Sequence, residues 1–362
     1  MSFRLIRPSA PANLPMPPTP AAESFVSVRP TLRRTPKLGF AGVGWIGRHR
    51  LQAIAASGLA EISALADPSP DCVAEAVKHA PDADIVSQFD DLLAMDLDGI
   101  VIATPNAHHA AQSIAALRAG KSVFCQKPLA RSGPETHAVI TAAHDADRLL
   151  GVDLSYRFTS GMRQIRRLIR QRELGDLYAV ELVFHNAYGP DKSWFYDPEL
   201  SGGGCLLDLG IHLLDLALWC LDYPVVETAV GQLLAQAHAI RDAHTVEDYA
   251  AGQLTTHTGV SIQLACSWRA PAGCDARIEA TFFGTQAGAT FHNVNGSFYD
   301  FVAEKFLPDR SRQILATPPD DWGGRAAVAW TRQLSLAPSF DPSVKHLQLV
   351  ADTLDRLYGR ET

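Results

Sequence analysis

Six cysteines in 362 residues, Cys72, Cys125, Cys205, Cys220, Cys266 and Cys274, form no C-x-x-C pair and share no Cys/His ligand spacing. That argues against a zinc site, indeed any metal, and against the disulfide framework of small secreted domains. Free thiols fit a reducing compartment, so a cytoplasmic protein is expected. Long apolar runs are also missing. No stretch reaches the roughly 20 residues of a membrane span, and Leu213–Leu218 is broken by Asp215. Positive charge is scarce: 32 Lys and Arg stand against 39 Asp and Glu, a net charge of −7. Nucleic acid is therefore not an expected partner. The one basic cluster, "RQIRRLIRQRE" (163–173), keeps Ile165, Leu168 and Ile169 at helical spacing and reads as a solvated helix face.

What is there is ordinary globular composition, 47% hydrophobic and 20% charged. The length suggests two domains. Residues 1–36 stand apart. They hold eight of the 23 prolines and no helical or strand period, and they lack the apolar stretch of a secretory signal. An extended arm is expected there.

From Lys37 strands and helices alternate. "KLGFAGVG", "AEISALAD", "DGIVIATPN", "KSVFCQKPLA" and "GVDLS" are short apolar strands. Helical segments separate them, one ending at Gly58 and one at Gly120. This is the grammar of a doubly wound parallel sheet, an α/β Rossmann domain over 37–156. After Tyr156 the period changes to two. "YAVELVFHN" puts Tyr178, Val180, Leu182 and Phe184 on one face, and "VSIQLACSW" does the same with Val260, Ile262, Leu264, Cys266 and Trp268. An α+β domain with an open, mainly antiparallel sheet is expected over 157–362.

Gly42-Val-Gly44-Trp45-Ile46-Gly47 is G-x-G-x-x-G between a strand and a helix, the context in which that pattern implies dinucleotide binding. Its glycines permit a tight turn and close approach of a pyrophosphate to the helix N-terminus. Twenty residues on, Asp67 ends the second strand. A carboxylate there accepts from ribose hydroxyls and repels a 2′-phosphate. No Arg or Lys follows in "PSPDCV", so NAD is expected over NADP. "ATPNAHH" (103–109) and "CQKP" (125–128) also lie at C-terminal strand ends, where ligands of such sheets bind. Thr104, Pro105, Asn106, His109, Gln126 and Lys127 join the cofactor set on that ground. The Lys127–Pro128 turn is a candidate for a cis bond.

A further stretch, "GGGCLLDLGIHLLD" (202–215), opens a leucine-rich helix with glycines and sets Asp208 and His212 four apart on one face. With the glycine fingerprint, "TPNAHH" and "GKSVFCQKPLA", it makes the chain similar, from Lys37 to its end, to the glucose–fructose oxidoreductase/inositol dehydrogenase/rhizopine-catabolism (Gfo/Idh/MocA) oxidoreductases. By that resemblance Lys127 is the lysine of the family's Glu-Lys-Pro motif, Asp208 and His212 are its Asp and His, and His109 is the histidine of its Thr-Pro-Asn motif. Gln126 departs from the pattern by replacing the usual Glu, and cannot raise the pKa of Lys127 as a carboxylate would.

The resemblance implies hydride transfer between a nicotinamide cofactor and a secondary alcohol of a sugar, polyol or inositol-like substrate. The sheet domain's open face implies a homo-oligomer, a dimer or a tetramer. His212 suits the general base. Asp208 would hold the imidazole or a neighbouring hydroxyl, and Lys127 would polarise the reacting oxygen. The glycine run would bring backbone close to substrate or nicotinamide. Asp215 reads as structural. Tyr156, Arg157, His185 and Trp194 are further candidates for the substrate side. The same motifs also serve NAD-dependent glycoside hydrolysis through transient oxidation and elimination, and non-catalytic dinucleotide-binding regulators.

Overall fold

The protein is described here by a computed structural model covering residues 34–360 apart from 241 and 243. Most of the proline-rich arm lies outside these residues. The first sheet has six parallel strands: β1 Lys37–Ala41, β2 Glu61–Ala66, β3 Asp84–Val86, β4 Gly99–Ile102, β5 Ser122–Cys125 and β6 Leu150–Val152. Their order is β3-β2-β1-β4-β5-β6, the doubly wound arrangement. It opens a crevice beyond the C-terminal ends of β1 and β4, where the winding reverses. β4 and β5 are buried along their whole length. Their apolar residues fill both faces, which explains why these strands read as continuous rather than alternating.

The second sheet has nine strands: β7 Leu177–Asn186, β8 Val226–Ala235, β9 His238–Ala239, β10 Tyr249–Thr256, β11 Ser261–Ser267, β12 Ala276–Gly284, β13 Gly288–Asn293, β14 Phe301–Phe306 and β15 Arg312–Ala316. The order is β15-β14-β13-β12-β7-β11-β10-β8-β9. Within this sheet, among the described residues, only β7 and β11 pair in parallel. Its inner face carries Val180, Leu182, Phe184, Ile262, Leu264, Cys266 and Phe282. The helices Ser160–Arg170 and Ile211–Cys220 pack on that face through Ile165, Leu168, Leu213 and Leu214. Tyr178, expected with the inward set, is exposed near the start of β7. Among the described residues nothing covers the opposite face, where Val230 and Ile314 are exposed.

Two expectations need correction. The chain does not stay in its second domain from 157 to the end. The helix Arg325–Leu336 returns to the first sheet, where Ala326, Ala327, Trp330 and Leu334 share a core with Leu38, Phe40, Val101 and Phe124. The Rossmann core is therefore completed by a helix that begins 173 positions downstream of the end of its last strand. Second, the stretch Pro198–Cys220 is by length and composition apolar enough to cross a membrane, with a mean hydropathy of 1.4. It reaches that length because the glycine run joins the helix behind it. Within the fold 83% of its most apolar 18-residue window is buried, as in a core helix.

Candidate functional site

The cofactor side is built by local sequence. Gly42 has φ +86°, and a Cβ there would lie 2.5 Å from the Ala103 carbonyl oxygen. One on Gly47 would lie 2.2 Å from that of Gly42. These two glycines let the turn close on itself. Gly44 differs: nothing lies within 4 Å of its missing Cβ, so the space outside it is free for a ligand. No side chain caps the helix Trp45–Ser57 that follows, which leaves its first N–H groups free for an anion. Asp67 is pinned at the end of β2 by accepting from Val43 N at 2.7 Å and Ser69 N at 2.8 Å. An open glycine, an uncapped helix start and a fixed carboxylate one strand over fit a dinucleotide.

Next to this turn is a cavity of about 330 Å³, lined by Trp45 and Ile46, by Gln126 and Lys127, and by Tyr156 and His212. The Lys127–Pro128 bond is cis. Lys127 Nζ donates to Asp208 Oδ1 at 2.6 Å and to the Asp208 carbonyl oxygen at 2.8 Å. Trp268 Nε1 donates to the other carboxylate oxygen at 3.0 Å. Asp208 thus holds the lysine, and no hydrogen bond joins it to the imidazole it was expected to orient. The local cause is the backbone: Leu206–Gly210 is one turn of π-helix, and the α-helix begins only at Ile211. Such turns are rare and recur at functional sites, where they re-aim side chains.

His212 packs edge-on to the Tyr156 ring, with centroids 4.9 Å apart. Burial and the nearby positive charges of Lys127 and Arg50 hold its pKa well below the usual 6.5. The ring is therefore neutral at neutral pH and able to take a proton. Tyr156 is buried except for its edge on the cavity, and burial, then the Asp208 charge, push its phenol pKa up.

The glycine run plays another part than expected. A Cβ on Gly202 would meet Arg131 Cβ at 2.5 Å, one on Gly203 would meet Tyr358 Oη at 2.2 Å, and one on Gly204 the Glu247 carbonyl oxygen at 1.9 Å. These glycines admit protein, not ligand. The buried Glu247 carboxylate accepts from Gly204 N and Leu206 N, both at 2.9 Å, and from Tyr358 Oη at 2.7 Å. This closes the start of the helix that carries Asp208 and His212 from behind.

Several candidates stand outside the cavity. His109 is buried, with Nδ1 2.7 Å from the Pro128 carbonyl oxygen and Nε2 2.7 Å from that of Thr104. It braces the two strand-end loops. Asn106 Nδ2 donates to the Ser201 carbonyl oxygen at 2.9 Å and ties the first domain to the glycine run. Thr104 Oγ1 donates to Gln112 at 2.7 Å, and Pro105 leads into the helix Asn106–Arg118. Arg157 is spent on a buried two-pronged pair with Asp215. His185 bonds Ser267 at 2.7 Å on the sheet, and Trp194 stacks on Phe195 with centroids 3.8 Å apart. None of these seven lines the cavity.

Those missed include Arg50, Asp153 and Ser155 on the first domain, and Phe298, Tyr299 and Trp322 on the second. Asp153 was findable, since it follows β6 at the same sheet edge that nominated Asp67 and Gln126. Tyr299 and Trp322 carry no local signal. They meet because Trp322 stacks on Tyr156 (5.0 Å between centroids) and donates from Nε1 to the Tyr299 carbonyl oxygen at 3.0 Å.

Comparison with known proteins agrees with this geometry. A family model described as "Oxidoreductase family, NAD-binding Rossmann fold" matches residues 37–154, and the "GFO/IDH/MocA C-terminal domain" matches 162–290. D-glucoside 3-dehydrogenase of Escherichia coli is 28% identical over 210 residues, 55% of this chain and 60% of the relative. A putative UDP-kanosamine synthase oxidoreductase subunit of Amycolatopsis mediterranei is 32% identical over 243 residues, 63% of this chain and 67% of the relative. The matched stretch thus spans about two thirds or less of these relatives. Among solved structures, levoglucosan dehydrogenase in complex with NADH and levoglucosan superposes with a TM-score of 0.77 at 20% identity. That match covers 90% of this chain and 97% of that one, and it speaks for the fold alone.

Proposed function

The chain belongs to the Gfo/Idh/MocA oxidoreductase family, and on that premise we propose that it oxidises a secondary alcohol of a sugar, polyol or inositol-like substrate with NAD. The observation that carries this reading is a neutral His212 in the same cavity as the Lys127–Asp208 pair, beside the glycine turn. When bound, the dinucleotide supplies the hydride acceptor. Everything else falls to the protein. His212 takes the hydroxyl proton, a role that needs a neutral ring. Lys127 has three N–H groups; Asp208 engages two directions, which leaves one for the reacting oxygen. That donor stabilises negative charge as it develops on the oxygen. The Tyr156 hydroxyl bonds a neighbouring substrate hydroxyl. Free thiols at all six cysteines suit a reducing, cytoplasmic setting. The uncovered face of the second sheet, with Val230 and Ile314 exposed, supports association of copies through it.

The test is NADH absorbance from purified protein, NAD and a panel of inositols, aldoses, sugar acids and glycosides. The expected result is stoichiometric NADH from one class. Glycoside cleavage without net NADH, or NAD binding with no turnover on any of them, overturns the dehydrogenase reading.

A further inference from the structure

Gln126, where the family usually carries Glu, belongs to a buried network that no motif announced. Its Nε2 donates to Asp153 Oδ2 at 2.7 Å. The same carboxylate pairs with Arg50 Nε, and its Oδ1 accepts from Ser155 Oγ at 2.9 Å. Arg50 Nη2 reaches Ser155 Oγ at 3.2 Å. All four residues are at least nine-tenths buried, and all four line the cavity.

The network dictates which way the amide points. An ionised carboxylate only accepts, so Gln126 must turn its NH2 toward Asp153 and its carbonyl Oε1 away. Oε1 and Arg50 Nη1 are left without a protein partner among the described residues, and neither is among the fully enclosed unpartnered atoms. The cavity wall therefore offers one acceptor beside one donor. A primary carboxamide carries the complement, an NH2 and a C=O on one carbon. A carboxylate ligand fits worse, because it would face the lone pairs of Oε1 while Asp153 already neutralises the guanidinium. The position agrees. Arg50 lies one turn into the helix that starts at the pyrophosphate site, and Gln126 immediately precedes Lys127.

We infer that Gln126 Oε1 and Arg50 Nη1 recognise the carboxamide of the nicotinamide ring, and so choose which ring face meets Lys127 and His212. This rests on the dinucleotide reading above. It also explains the departure from Glu. A carboxylate at 126 would abut Asp153 with one guanidinium between two negative charges, and it would offer no NH2 to that network.

The test measures equilibrium binding by calorimetry with three probes: NAD, its 3-acetylpyridine analogue, which keeps the C=O and lacks the NH2, and ADP-ribose, which lacks the ring. The unaltered protein is expected to bind NAD roughly three- to tenfold more tightly than the acetylpyridine analogue, the worth of one hydrogen bond. Gln126→Met should erase that preference, and Arg50→Lys should weaken both ring-bearing probes by a similar factor. ADP-ribose affinity should hold in both variants, which reports that the site is folded. An NAD preference that survives Gln126→Met overturns the inference alone. Loss of ADP-ribose binding in a variant is met by Gln126→Asn, which keeps the amide and shortens its reach; it too must lose the preference. Failure of the unaltered protein to bind either NAD or ADP-ribose overturns the dinucleotide reading and this inference together.

Discussion

The two sheets place chemistry in different ways. In the parallel sheet three candidate residues sit just past the C-terminal ends of strands: Asp67 after β2, Gln126 after β5, Asp153 after β6. The strands are buried on both faces, so only their ends can meet a ligand, and a short local motif is enough to mark the place. The nine-stranded sheet has no such edge rule. It supports helices on one face, and its contribution to the cavity arrives through Tyr299 and Trp322, in the connections that follow β13 and β15. One half writes its site along the chain and the other assembles it across the chain. The helical stretch of Asp208 and His212 links the two, since Asp208 bonds Lys127 of the first domain and Trp268 of the second.

This contrast can be broken or sharpened by substitution. The largest effect is expected at the junction: His212→Ala should lower kcat roughly 10²- to 10⁴-fold, the range of a lost general base. NAD affinity should stay within about twofold, and steady-state kinetics beside calorimetry read both. Normal turnover in the variant would remove His212 from the mechanism and leave the second domain without a catalytic group.

Gly204→Ala tests the cross-chain half. Its Cβ would sit 1.9 Å from the Glu247 carbonyl oxygen, backbone that cannot move aside cheaply. A loss of about 1–3 kcal/mol is expected, as for overpacked cores, read from the denaturation midpoint at unchanged m-value. A variant as stable as the parent would show that the glycine run faces open space after all.

Asp67→Ala tests the along-chain half. The carboxylate already serves two backbone N–H groups, so the variant loses both a ribose partner and part of the turn. NAD affinity should fall about tenfold and the preference over NADP should shrink, within the worth of one charge-assisted hydrogen bond. An unchanged ratio of the two affinities would take Asp67 out of the ribose site.

The smallest effect is a displacement along the pH axis. His212 has its pKa lowered by burial and by Lys127 and Arg50. Its neutral, proton-accepting form therefore persists below pH 6.5, and the acid limb of kcat/KM for oxidation should lie below that value. Arg50→Lys keeps one of those charges, and should move the limb less than Lys127→Met does. An acid limb at or above 6.5 would mean that a different group titrates.

Several features were legible in advance for identifiable reasons. Strict alternation in "VSIQLACSW" predicted five inward residues, and Val260, Ile262, Leu264, Cys266 and Trp268 are all buried. The stretches "THTGV" and "FGTQAGATF" are turn-rich by sequence, and they join β10 to β11 and β12 to β13 as hairpins. The strand-end argument nominated His109 and Asn106 for the cofactor set. It erred on what they do, because each side chain turns back to bond a carbonyl oxygen of a neighbouring loop. Arg157 was misplaced for a similar reason: its nearest carboxylate, on Asp215, lies 58 residues away in sequence.

The sequence by itself determined the elements, their order and the cofactor turn, because each depends on residues within one strand or one helical turn of each other. Periodicity and glycine stereochemistry act at that range. Only the tertiary structure decided the partners. It gave Asp208 to Lys127 rather than His212, closed the glycine run on Glu247 and Tyr358, and oriented Gln126 by a carboxylate 27 residues away. A hydrogen bond depends on distances of a few tenths of an ångström and on which donors are already taken. Those are properties of packed neighbours, and no spacing along the chain encodes them.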